Sequence, residues 1–409
     1  MASKAFKYRL YPTPAQEKLL LNALSCARNL YNMALAERKY TYQLEGRSVG
    51  KYEQLREVKC YKDTFPQARG VHSHILQVAI TDCDKAFQAF FRRVNPGTGV
   101  NPGTGVKAGV KKPGYPRFKS WQRFSSIGFK QYGNGFRLDG RRLKVSGVGR
   151  IAVRWHRPLE GEIKTVRLVH RAGKWYACFV CEVETETPLA RTEKGIGIDL
   201  GISALITTSD GEKVENPNYY RVAHKKLRAL QRKQARAQRG SNNRHKALLA
   251  VQRQQEHVAN QRKDYLNKLS TMRVQRYDTI ALEGLQITNM VKNRHLSKSI
   301  LDSGWGYFRQ RLTIKAASAG RELVFVDPAY TSKCCSNCGA LFQDFSLSTR
   351  WVKCYCGLSL DRDHNAALNI LKRSRSDGTV KQNVAPLLSL NMSVGKCRRA
   401  SEATRLLPL

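Results

Sequence analysis

The sequence is short of acidic side chains and has no long apolar run. Asp and Glu number 31 against 72 Lys and Arg, which gives a formal charge of +41. Such an excess makes a compact chain repel itself unless a polyanion neutralises it. No run of about 18 or more apolar residues occurs and no basic amphipathic segment stands alone, which argues against a membrane protein. Nucleic acid is therefore the expected partner.

The N-terminal segment also lacks the apolar stretch of a signal peptide, so a cytosolic location is expected. In that compartment the 11 cysteines are more typical of free thiols or metal ligands than of disulfides. The length of 409 residues, of which 41% are hydrophobic, predicts about two to four domains with enough material for a core.

The first part of the chain predicts a small barrel interrupted by helices. Residues 4–11 alternate polar and apolar side chains as a half-buried strand does, and Thr13 with Pro14 is a typical helix start. Helical spacing continues to about Phe91, whereas residues 115–187 show short alternating runs separated by glycine turns. We expect the first strand to complete a β-barrel formed by residues 115–187. Residues 95–106 repeat Asn-Pro-Gly-Thr-Gly-Val twice, which predicts a flexible loop.

The rest of the chain predicts an α/β domain. A hairpin from Gly195 is followed by a strand ending in Glu283, a helix, a further strand and a last helix, an order that fits a ribonuclease-H-like domain. Residues 221–263 hold thirteen Lys or Arg and one acid, Glu256. A charge run is often only a solvated face, but this one lacks compensating acids at i,i+4 spacing. We expect contact with nucleic-acid backbones through Lys225, Lys226, Arg228, Arg232, Lys233 and Arg236.

Two acids occur within apolar strand patterns. Asp199 lies in the run Gly195–Leu200, and Glu283 ends the run Thr279–Glu283. A carboxylate among strand residues is unfavourable without partners, which favours a functional role over a turn. Mg²⁺ binds a few carboxylates with water and substrate phosphates, and a pair of such ions stabilises both the attacking and the leaving oxygen of a phosphodiester. In so basic a chain, the pattern suggests a Mg²⁺-dependent nuclease.

Three further acids near the C-terminus are candidates for structural or metal-binding roles. Asp361 and Asp363 both lie just ahead of a predicted helix, where one can cap the helix while the other binds metal. Asp327 precedes Pro328 and is predicted to be a loop acid.

The cysteines of residues 334–356 predict a zinc ribbon. Two knuckles are indicated: a C-x₂-C pair followed by a glycine turn, and a shorter C-x-C pair. Four thiolates fill a tetrahedral zinc site, and a loop of free thiols is the alternative. The predicted ligands are Cys335, Cys338, Cys354 and Cys356, with the adjacent Cys334 as an alternative to Cys335.

Cys178 and Cys181 have a similar spacing but lie in a predicted strand. Positions i and i+3 of a strand face opposite sides, so these two cysteines are interpreted as core residues.

Two other segments have more than one interpretation. Residues 112–119 mix basic and aromatic side chains, and Arg117 and Lys119 suit pairing with nucleic acid, although a structural corner is the alternative. His72, His74 and Gln77 begin a predicted helix in a basic setting, where they could read base edges or be ordinary surface residues.

Together these motifs resemble the TnpB family, the RNA-guided nucleases of bacterial insertion sequences that are related to type V CRISPR effectors. The resemblance covers nearly the whole chain. It rests on Gly-Ile-Asp-Leu-Gly, on the strand ending in Glu283, on Tyr330-Thr331-Ser332-x-x-Cys-Ser-x-Cys-Gly, and on Asp-Arg-Asp-x-Asn-Ala-Ala-Leu-Asn-Ile. The N-terminal strand and Gly-Tyr-Pro-Arg-Phe-Lys-Ser at 114–120 are similar to the family as well.

The resemblance implies a multidomain α+β fold. A wedge β-barrel domain is expected at 1–12 and 115–187, and a helical recognition domain at 13–114. A RuvC nuclease domain is expected at 193–332 and 358–373, with a zinc ribbon inserted at 333–357. Residues 374–409 would form a basic, mobile tail.

The resemblance also implies a function. Asp199, Glu283 and Asp363 match the family's catalytic, Mg²⁺-binding acids, and Asp363 is preferred over Asp361. A guide RNA and a double-stranded DNA target are the expected partners, a short motif flanks the target, and Zn²⁺ has a structural role. The expected protein is a bacterial or archaeal, nucleoid-associated monomer in the cytoplasm.

Two other functions compete with this one. A zinc-ribbon protein that binds nucleic acid and regulates transposition would keep the acids without cutting. A DNA-strand transferase with the same fold would produce joined DNA and need no guide.

Overall fold

The computed structural model describes residues 2–94, 113–184, 187–343, 345–346 and 348–375. The chain forms two compact units, Met1–Glu184 and Thr185–Leu409. The hexapeptide repeat at 95–106 and nearly all of the predicted tail, residues 376–409, lie outside the described residues. Within the described ranges, none of the helices combines the length and apolar character that a membrane span requires.

The first unit begins with a strand and a set of helices. Strand β1 (Ala2–Tyr11) leads into α1 (Pro14–Glu45), which is followed by α2 (Lys51–Arg56), α3 (Val58–Thr64) and α4 (Ser73–Val94). The predicted helix start is confirmed, because the Gln16 amide donates to the Thr13 hydroxyl and the Gln16 side chain accepts from the Thr13 amide.

A seven-stranded antiparallel sheet completes this unit. Its other strands are β2 (Ser126–Phe129), β3 (Phe136–Asp139), β4 (Arg142–Val145), β5 (Gly149–Arg154), β6 (Glu162–Arg171) and β7 (Lys174–Val183). The strand order is β2-β6-β7-β1-β5-β4-β3, so β1 pairs with strands from the 115–187 region, as the sequence predicted. The pairings among the described strands leave β2 and β3 at the edges, and the sheet is curled. Closure into a barrel therefore stays a prediction.

The core of the first unit lies between one face of this sheet and the helices. Phe6, Tyr8 and Leu10 alternate into it from β1, and Leu20 of α1 and Leu76 of α4 pack there. Lys7 and Arg9 of β1 lie on the opposite face of the sheet.

The second unit contains a five-stranded mixed sheet. Its first strands are β8 (Gly195–Leu200), β9 (Ala204–Thr208) and β10 (Lys213–Glu215), joined as antiparallel neighbours. Two long helices, α5 (Tyr219–Arg236) and α6 (Asn242–Arg276), separate them from β11 (Thr279–Glu283). Then come α7 (Ile287–Met290), α8 (Ser297–Ser303), α9 (Trp305–Ala319) and β12 (Glu322–Val326).

The strand order in this sheet is β10-β9-β8-β11-β12, and β11 runs parallel to both β8 and β12. After β12 come a short hairpin of β13 (Trp351–Lys353) and β14 (Ser359–Asp361) and the helix α10 (Arg362–Arg375). The succession of hairpin, strand, helix, strand and helix is the one that the sequence predicted. Parallel pairing of β8 with β11 matters most, because it brings the carboxyl ends of both strands to one edge.

Candidate metal sites

Asp199 and Glu283 lie side by side at the carboxyl ends of two parallel strands. The register pairs Ile198 of β8 with Leu282 of β11, and Asp199 and Glu283 are the next residue of each strand. The apolar residues before them are fully buried, which fixes the register of both strands. The sheet thus holds both carboxylates at one edge.

Helix α10 brings Asp363 to the same edge. A Cβ placed on Gly197 would lie 2.1 Å from the carbonyl oxygen of Ala367 and 2.8 Å from the amide nitrogen of Leu371, so α10 packs directly on the backbone of β8. Asp363 is one helical turn before Ala367 on the same side of α10, and Asp199 is two residues beyond Gly197 on the same side of β8. The glycine therefore allows the close approach that places Asp363 beside Asp199.

The three carboxylates share one electrostatic environment. Burial and the charges of Glu283 and Asp363 together raise the pKa of Asp199 to about 8, while the guanidinium of Arg362 opposes them. Burial also raises the pKa of Glu283, against the hydrogen bond that its Oε1 accepts from the Thr331 hydroxyl. Concentrated negative charge of this kind favours a cation. The three predicted acids are thus neighbours, whereas their catalytic role stays a prediction.

Arg362 supplies a positive charge next to this group. Its Nε and Nη2 donate to Oδ1 of Asp363 at 3.1 and 3.0 Å. The side chain follows β14 directly and opens α10, so the chain places a cation and a carboxylate in adjacent positions.

Asp361 and Asp327 have structural partners instead. Oδ1 of Asp361 accepts from the amides of Asp363 at 3.0 Å and His364 at 3.2 Å, which caps α10, and its Oδ2 lies 2.6 Å from the Lys213 ammonium. Burial alone would raise the pKa of Asp361, but Lys213 and these amides lower it below its ordinary value. Asp327 is exposed and accepts from the Ala329 amide at 3.0 Å, so it is a loop acid, as predicted.

The chemistry of the three carboxylates fits Mg²⁺, which takes oxygen ligands and completes its shell with water and substrate phosphates. They are more widely spaced than the zinc ligands described below. A two-ion site accommodates such spacing, because its ions lie about 3.5–4 Å apart and each needs only some of the acids. Asp199 remains partly accessible to solvent, so an ion can reach it.

The four predicted zinc ligands form a compact cluster. The sulfur atoms of Cys335, Cys338, Cys354 and Cys356 all lie within 4.8 Å of one another, and the closest pairs are 3.5 and 3.6 Å apart. In the described part of the chain, no other group of three or more potential ligands is this compact. Tetrahedral zinc with sulfur at about 2.3 Å separates its ligands by about 3.8 Å. The cluster therefore fits Zn²⁺, and the short C-x-C knuckle does not prevent it.

The remaining cysteines in question are not part of this cluster. Cys334 lies next to it, and the sulfur of Cys335 occupies the ligand position. Cys178 and Cys181 are residues of β7 that face opposite sides of the sheet, with Cys181 buried and Cys178 half-buried. The interpretation as core residues therefore holds for Cys181, which belongs to the core of the first unit, and not for Cys178, which lies on the other face of the sheet.

The six basic residues predicted on α5 are all exposed. Only Leu227 of this helix is buried. Asp302 anchors the start of α5, because its carboxylate accepts from the Tyr220 and Arg221 amides at 3.0–3.3 Å and lies 2.6 Å from Arg262. The start of α5 is thus held in place, and the basic side chains of the helix are exposed to solvent.

The nucleic-acid-binding residues predicted in the first unit are not all exposed. Arg117 is exposed, whereas the backbone of Lys119 exchanges two hydrogen bonds with the Asn32 side chain, which supports the structural-corner alternative for that position. Gln77 is half-buried and its Oε1 accepts from the Lys130 ammonium at 3.2 Å.

His72 and His74 are both half-buried at the start of α4. Burial lowers the pKa of each imidazole. Their rings lie 5.0 Å apart.

Sequence reasoning assigned no role to three polar residues near the acids. Thr331 donates to Glu283, and Asn365 and Asn369 of α10 bond to the cysteine segment. All three lie in the motifs quoted above, but their partners are 29 to 48 residues away in sequence. Asn365 is completely buried, with 0% of its surface exposed, so its role is structural. Only the fold reveals this burial.

Three family models match parts of the chain. A model described as a probable transposase (OrfB_IS605) matches residues 178–294, and one described as the Cas12f1-like TNB domain matches residues 305–370. A helix-turn-helix domain model (HTH_OrfB_IS605) matches residues 1–47.

Relatives match over most of the chain. A protein of Streptomyces pristinaespiralis, named provisionally as an RNA-guided DNA endonuclease, is 34% identical over 94% of this chain and 92% of its own. InsQ of Escherichia coli K12, with the same provisional name, is 30% identical over 90% of this chain and 91% of its own. The CRISPR-associated endodeoxyribonuclease Cas12f1 of Sulfoacidibacillus thermotolerans is 27% identical over 55% of this chain and 57% of its own.

The fold is also similar to a solved structure. The protein chain in a cryo-EM structure of a Cas12f1–sgRNA–target DNA complex superimposes with a TM-score of 0.54 at 13% identity, over 90% of this chain and 98% of that one. At this identity the likeness is one of fold, a mixed α/β architecture with a curled sheet.

Proposed function

The chain belongs to the TnpB family, and on this basis we propose that it is an RNA-guided DNA endonuclease. The observation that carries the proposal is the meeting of Asp199, Glu283 and Asp363 at one sheet edge, where burial and the two neighbouring carboxylates raise the pKa of Asp199 to about 8. The names of the relatives support the same activity. Phosphodiester hydrolysis of the target DNA would take place at this edge.

The finer division of the chain is part of the proposal. The strands at 1–12 and 115–187 would form the wedge domain, and residues 13–114 the recognition domain. Residues 193–332 and 358–373 would form the RuvC nuclease domain around the zinc ribbon at 333–357. The five-strand order of the second unit supports the nuclease assignment, because its two central parallel strands carry Asp199 and Glu283.

The chain's own residues would prepare the site for Mg²⁺. Asp199, Glu283 and Asp363 would hold two ions, which supply charge stabilisation for the attacking and leaving oxygens. The Thr331 hydroxyl orients the Glu283 carboxylate by donating to its Oε1. Asp361 holds the start of α10, and thereby Asp363, through its bonds to two backbone amides.

Nucleic-acid binding is supported by basic surfaces in each unit. In the second unit, α5 exposes Lys225, Lys226, Arg228, Arg232, Lys233 and Arg236. Such side chains neutralise phosphates and release counterions, so binding should weaken as salt rises. We propose that they contact the guide RNA or the paired target strand.

The outward sheet face of the first unit also supports a polyanionic partner. Arg9 is directly opposite Arg154, and Lys144 is directly opposite Arg150, with one acid nearby, Asp139, at 2.5 Å from Arg150. Like charges opposite each other in a sheet are destabilising. A bound nucleic-acid backbone would remove that repulsion.

Recognition of a short flanking motif would fall to polar side chains of the first unit. Arg117 and Gln77 are candidates, with His72 and His74 near Gln77 on the same helix start. A glutamine can read an adenine edge in the major groove.

Cleavage by the purified ribonucleoprotein tests the proposal. The RNA that co-purifies with the protein is sequenced, and a plasmid library with its complement beside randomised flanking sequence is offered with Mg²⁺. We expect cleavage at one flanking motif, and loss of more than about 100-fold in Asp199→Ala with RNA binding retained, since even outer-shell changes cost 10–100-fold. Asp327→Ala, an exposed acid at the end of β12, is the matched control.

A different product would support a second function. The family model for residues 178–294 is described as a probable transposase, which favours DNA-strand transfer. Joined DNA without a requirement for RNA would support that function. RNA binding without any cutting in Mg²⁺ would support a regulator that retains the acids but lacks activity.

A further inference from the structure

Two buried asparagines of α10 direct their amides at the cysteine segment. Asn365 accepts from the Ser336 amide at 2.8 Å and donates to the Cys334 carbonyl at 2.8 Å. Asn369 donates to the carbonyls of Cys334 at 2.7 Å and Thr331 at 2.8 Å. Their exposed fractions are 0% and 6%. Neither side chain caps the helix. Their bonds to the cysteine segment satisfy the two buried amide groups.

The segment that receives these bonds includes the first zinc knuckle. Cys334 and Ser336 flank Cys335, whose amide donates to the Ala340 carbonyl at 2.8 Å and whose carbonyl accepts from Gly339 at 2.9 Å. Motion of the knuckle would therefore move the groups to which Asn365 and Asn369 bond.

The same segment reaches the acid site through Thr331. Its carbonyl accepts from Asn369, and its hydroxyl donates to Glu283 and lies 3.1 Å from the Pro328 carbonyl. Thr331 is 3% exposed. The neighbouring Tyr330 has φ +60, an uncommon conformation for an aromatic residue, and its carbonyl accepts from the Cys334 amide at 3.1 Å. A continuous set of bonds thus joins the knuckle to Glu283.

Helix α10 supplies the other end of the connection. Asp363 lies two residues before Asn365 on this helix, which rests on β8 at Gly197. Both Glu283 and the helix of Asp363 are therefore held by hydrogen bonds from the same loop.

We propose that Thr331, Asn365 and Asn369 are positioning residues through which zinc binding sets the geometry of the candidate catalytic carboxylates. The inference rests on the proposed function, because it assumes that those carboxylates bind divalent ions. Zinc fixes the knuckle, the two asparagines transmit its position to α10, and Thr331 transmits it to Glu283. Outer partners of this kind commonly change metal affinity by 10–100-fold.

The coupling has to act in both directions. If zinc at the cysteines tightens divalent binding at the carboxylates, the divalent ion tightens zinc by the same factor. An unmade hydrogen bond at a buried amide is costly, so the knuckle and α10 favour one joint arrangement over independent movement.

Mn²⁺ binding to the purified full-length chain, measured by electron paramagnetic resonance without nucleic acid, tests this coupling. The variants are Asn369→Ala, which removes the bonds from α10 to the Cys334 and Thr331 carbonyls but leaves those of Asn365, and Thr331→Val, which removes only the hydroxyl that donates to Glu283. Ser374→Ala is the matched control, because Ser374 is a buried polar residue of α10 whose hydroxyl donates within the helix, to Leu371 at 2.7 Å. Cys338→Ser weakens the zinc site, and zinc content is measured by mass spectrometry.

We expect both Asn369→Ala and Thr331→Val to weaken Mn²⁺ binding by about tenfold, and Ser374→Ala to leave it unchanged. Cys338→Ser should weaken it to a similar extent. The double variant Asn369→Ala, Cys338→Ser should lose less affinity than the two single losses combined, because both changes act on the same contact between the knuckle and α10. A purely structural role for Asn369 would not produce that non-additivity.

Several results would overturn the inference. Unchanged Mn²⁺ affinity in Thr331→Val, or losses that add in the double variant, would contradict it while leaving the endonuclease proposal intact. If circular dichroism shows that Asn369→Ala is unfolded, Thr331→Val decides, since it leaves both asparagines in place. A wild-type chain that binds no Mn²⁺ would overturn the carboxylate site, and with it both proposals.

Discussion

Asp199 combines partial solvent access with an environment that penalises its charge. Burial and two neighbouring carboxylates raise its pKa to about 8. The ion-free protein therefore keeps this group protonated at neutral pH, and ion binding requires that the proton leave. Asp199 would thus be neutral when no metal ion is bound, which avoids a buried charge, and ionised when an ion is bound.

The raised pKa predicts a pH-dependent stability difference between the wild type and Asp199→Asn. The folded pKa of about 8 lies above the ordinary value of 3.8, so folding free energy is lost as pH rises through that window. The asparagine is neutral throughout. We expect the variant to gain at most about 1.4 kcal/mol relative to the wild type for each pH unit, or about 2–4 °C in melting temperature per kcal/mol.

Calorimetry at pH 5 and pH 8 without added Mg²⁺ measures this difference, and added Mg²⁺ should reduce it at pH 8. A difference that does not change with pH would mean that Asp199 ionises normally in the folded protein.

The sequence was sufficient to predict which acids lie near one another, but not which residues support them. Asp199 and Glu283 stand out because a carboxylate interrupts an apolar strand, and the capping role of Asp361 follows from its place before a helix. Thr331 and Asn369 could not be assigned in the same way. Their hydrogen bonds join residues 38 and 48 positions apart, so they depend on how the cysteine loop packs against α10.

At the scale of elements, the contact between β8 and α10 depends on Gly197. We predict that Gly197→Ala destabilises the protein by about 1–3 kcal/mol, as overpacking does, and abolishes most cleavage. The new Cβ would lie 2.1 Å from a backbone oxygen of α10, so the helix that carries Asp363 must shift. Thermal unfolding and the plasmid-cleavage assay measure the two effects.

Gly195→Ala is the matched control on the same strand. Its Cβ would lie 3.4 Å from the end of the Leu371 side chain, an ordinary contact that a small side-chain movement accommodates. Equal losses in the two variants would show that β8 tolerates no alanine, and that the backbone approach at Gly197 has no special role.

The basic helix α5 leads to a prediction about salt. Replacing Lys225, Lys226 and Arg228 by glutamine should reduce the slope of log affinity for RNA against log salt by about 2–3, because each phosphate contact contributes about 0.7–0.9. Filter binding at several salt concentrations measures the slope. Lys268→Gln is the control, since Lys268 is exposed but lies 2.7 Å from Asp264 within a helix. An unchanged slope in the triple variant would exclude α5 from the interface.

Most elements followed from local signals. The Thr13 cap and the strands that carry Asp199 and Glu283 all have a signature within a few residues. Closure of the first sheet has no such signature, because it requires pairing between strands that are distant in sequence. The described strands accordingly form a curled sheet with two edges.

For the whole molecule, the dominant quantity is the charge of +41. Self-repulsion lowers the stability of the RNA-free protein, and salt screens it over about 10 Å at 0.1 M. We expect NaCl between about 0.05 and 0.5 M to raise the melting temperature of the RNA-free protein. The same salt should lower the melting temperature of the RNA-bound protein, because bound RNA is released.

Calorimetry of both forms in matched buffers measures these opposite trends. Sucrose in place of NaCl controls for non-ionic stabilisation and should raise both temperatures. If salt changed both melting temperatures in the same direction, RNA would not stabilise the protein by relieving charge repulsion.

The position of α10 in the chain has a consequence for biosynthesis. Asp199 and Glu283 leave the ribosome well before α10, and domains begin to fold as they emerge. The growing polypeptide therefore carries two of the three candidate acids before the third has been made. The candidate carboxylate site would thus be completed late in translation, after the basic helix α5 has been made.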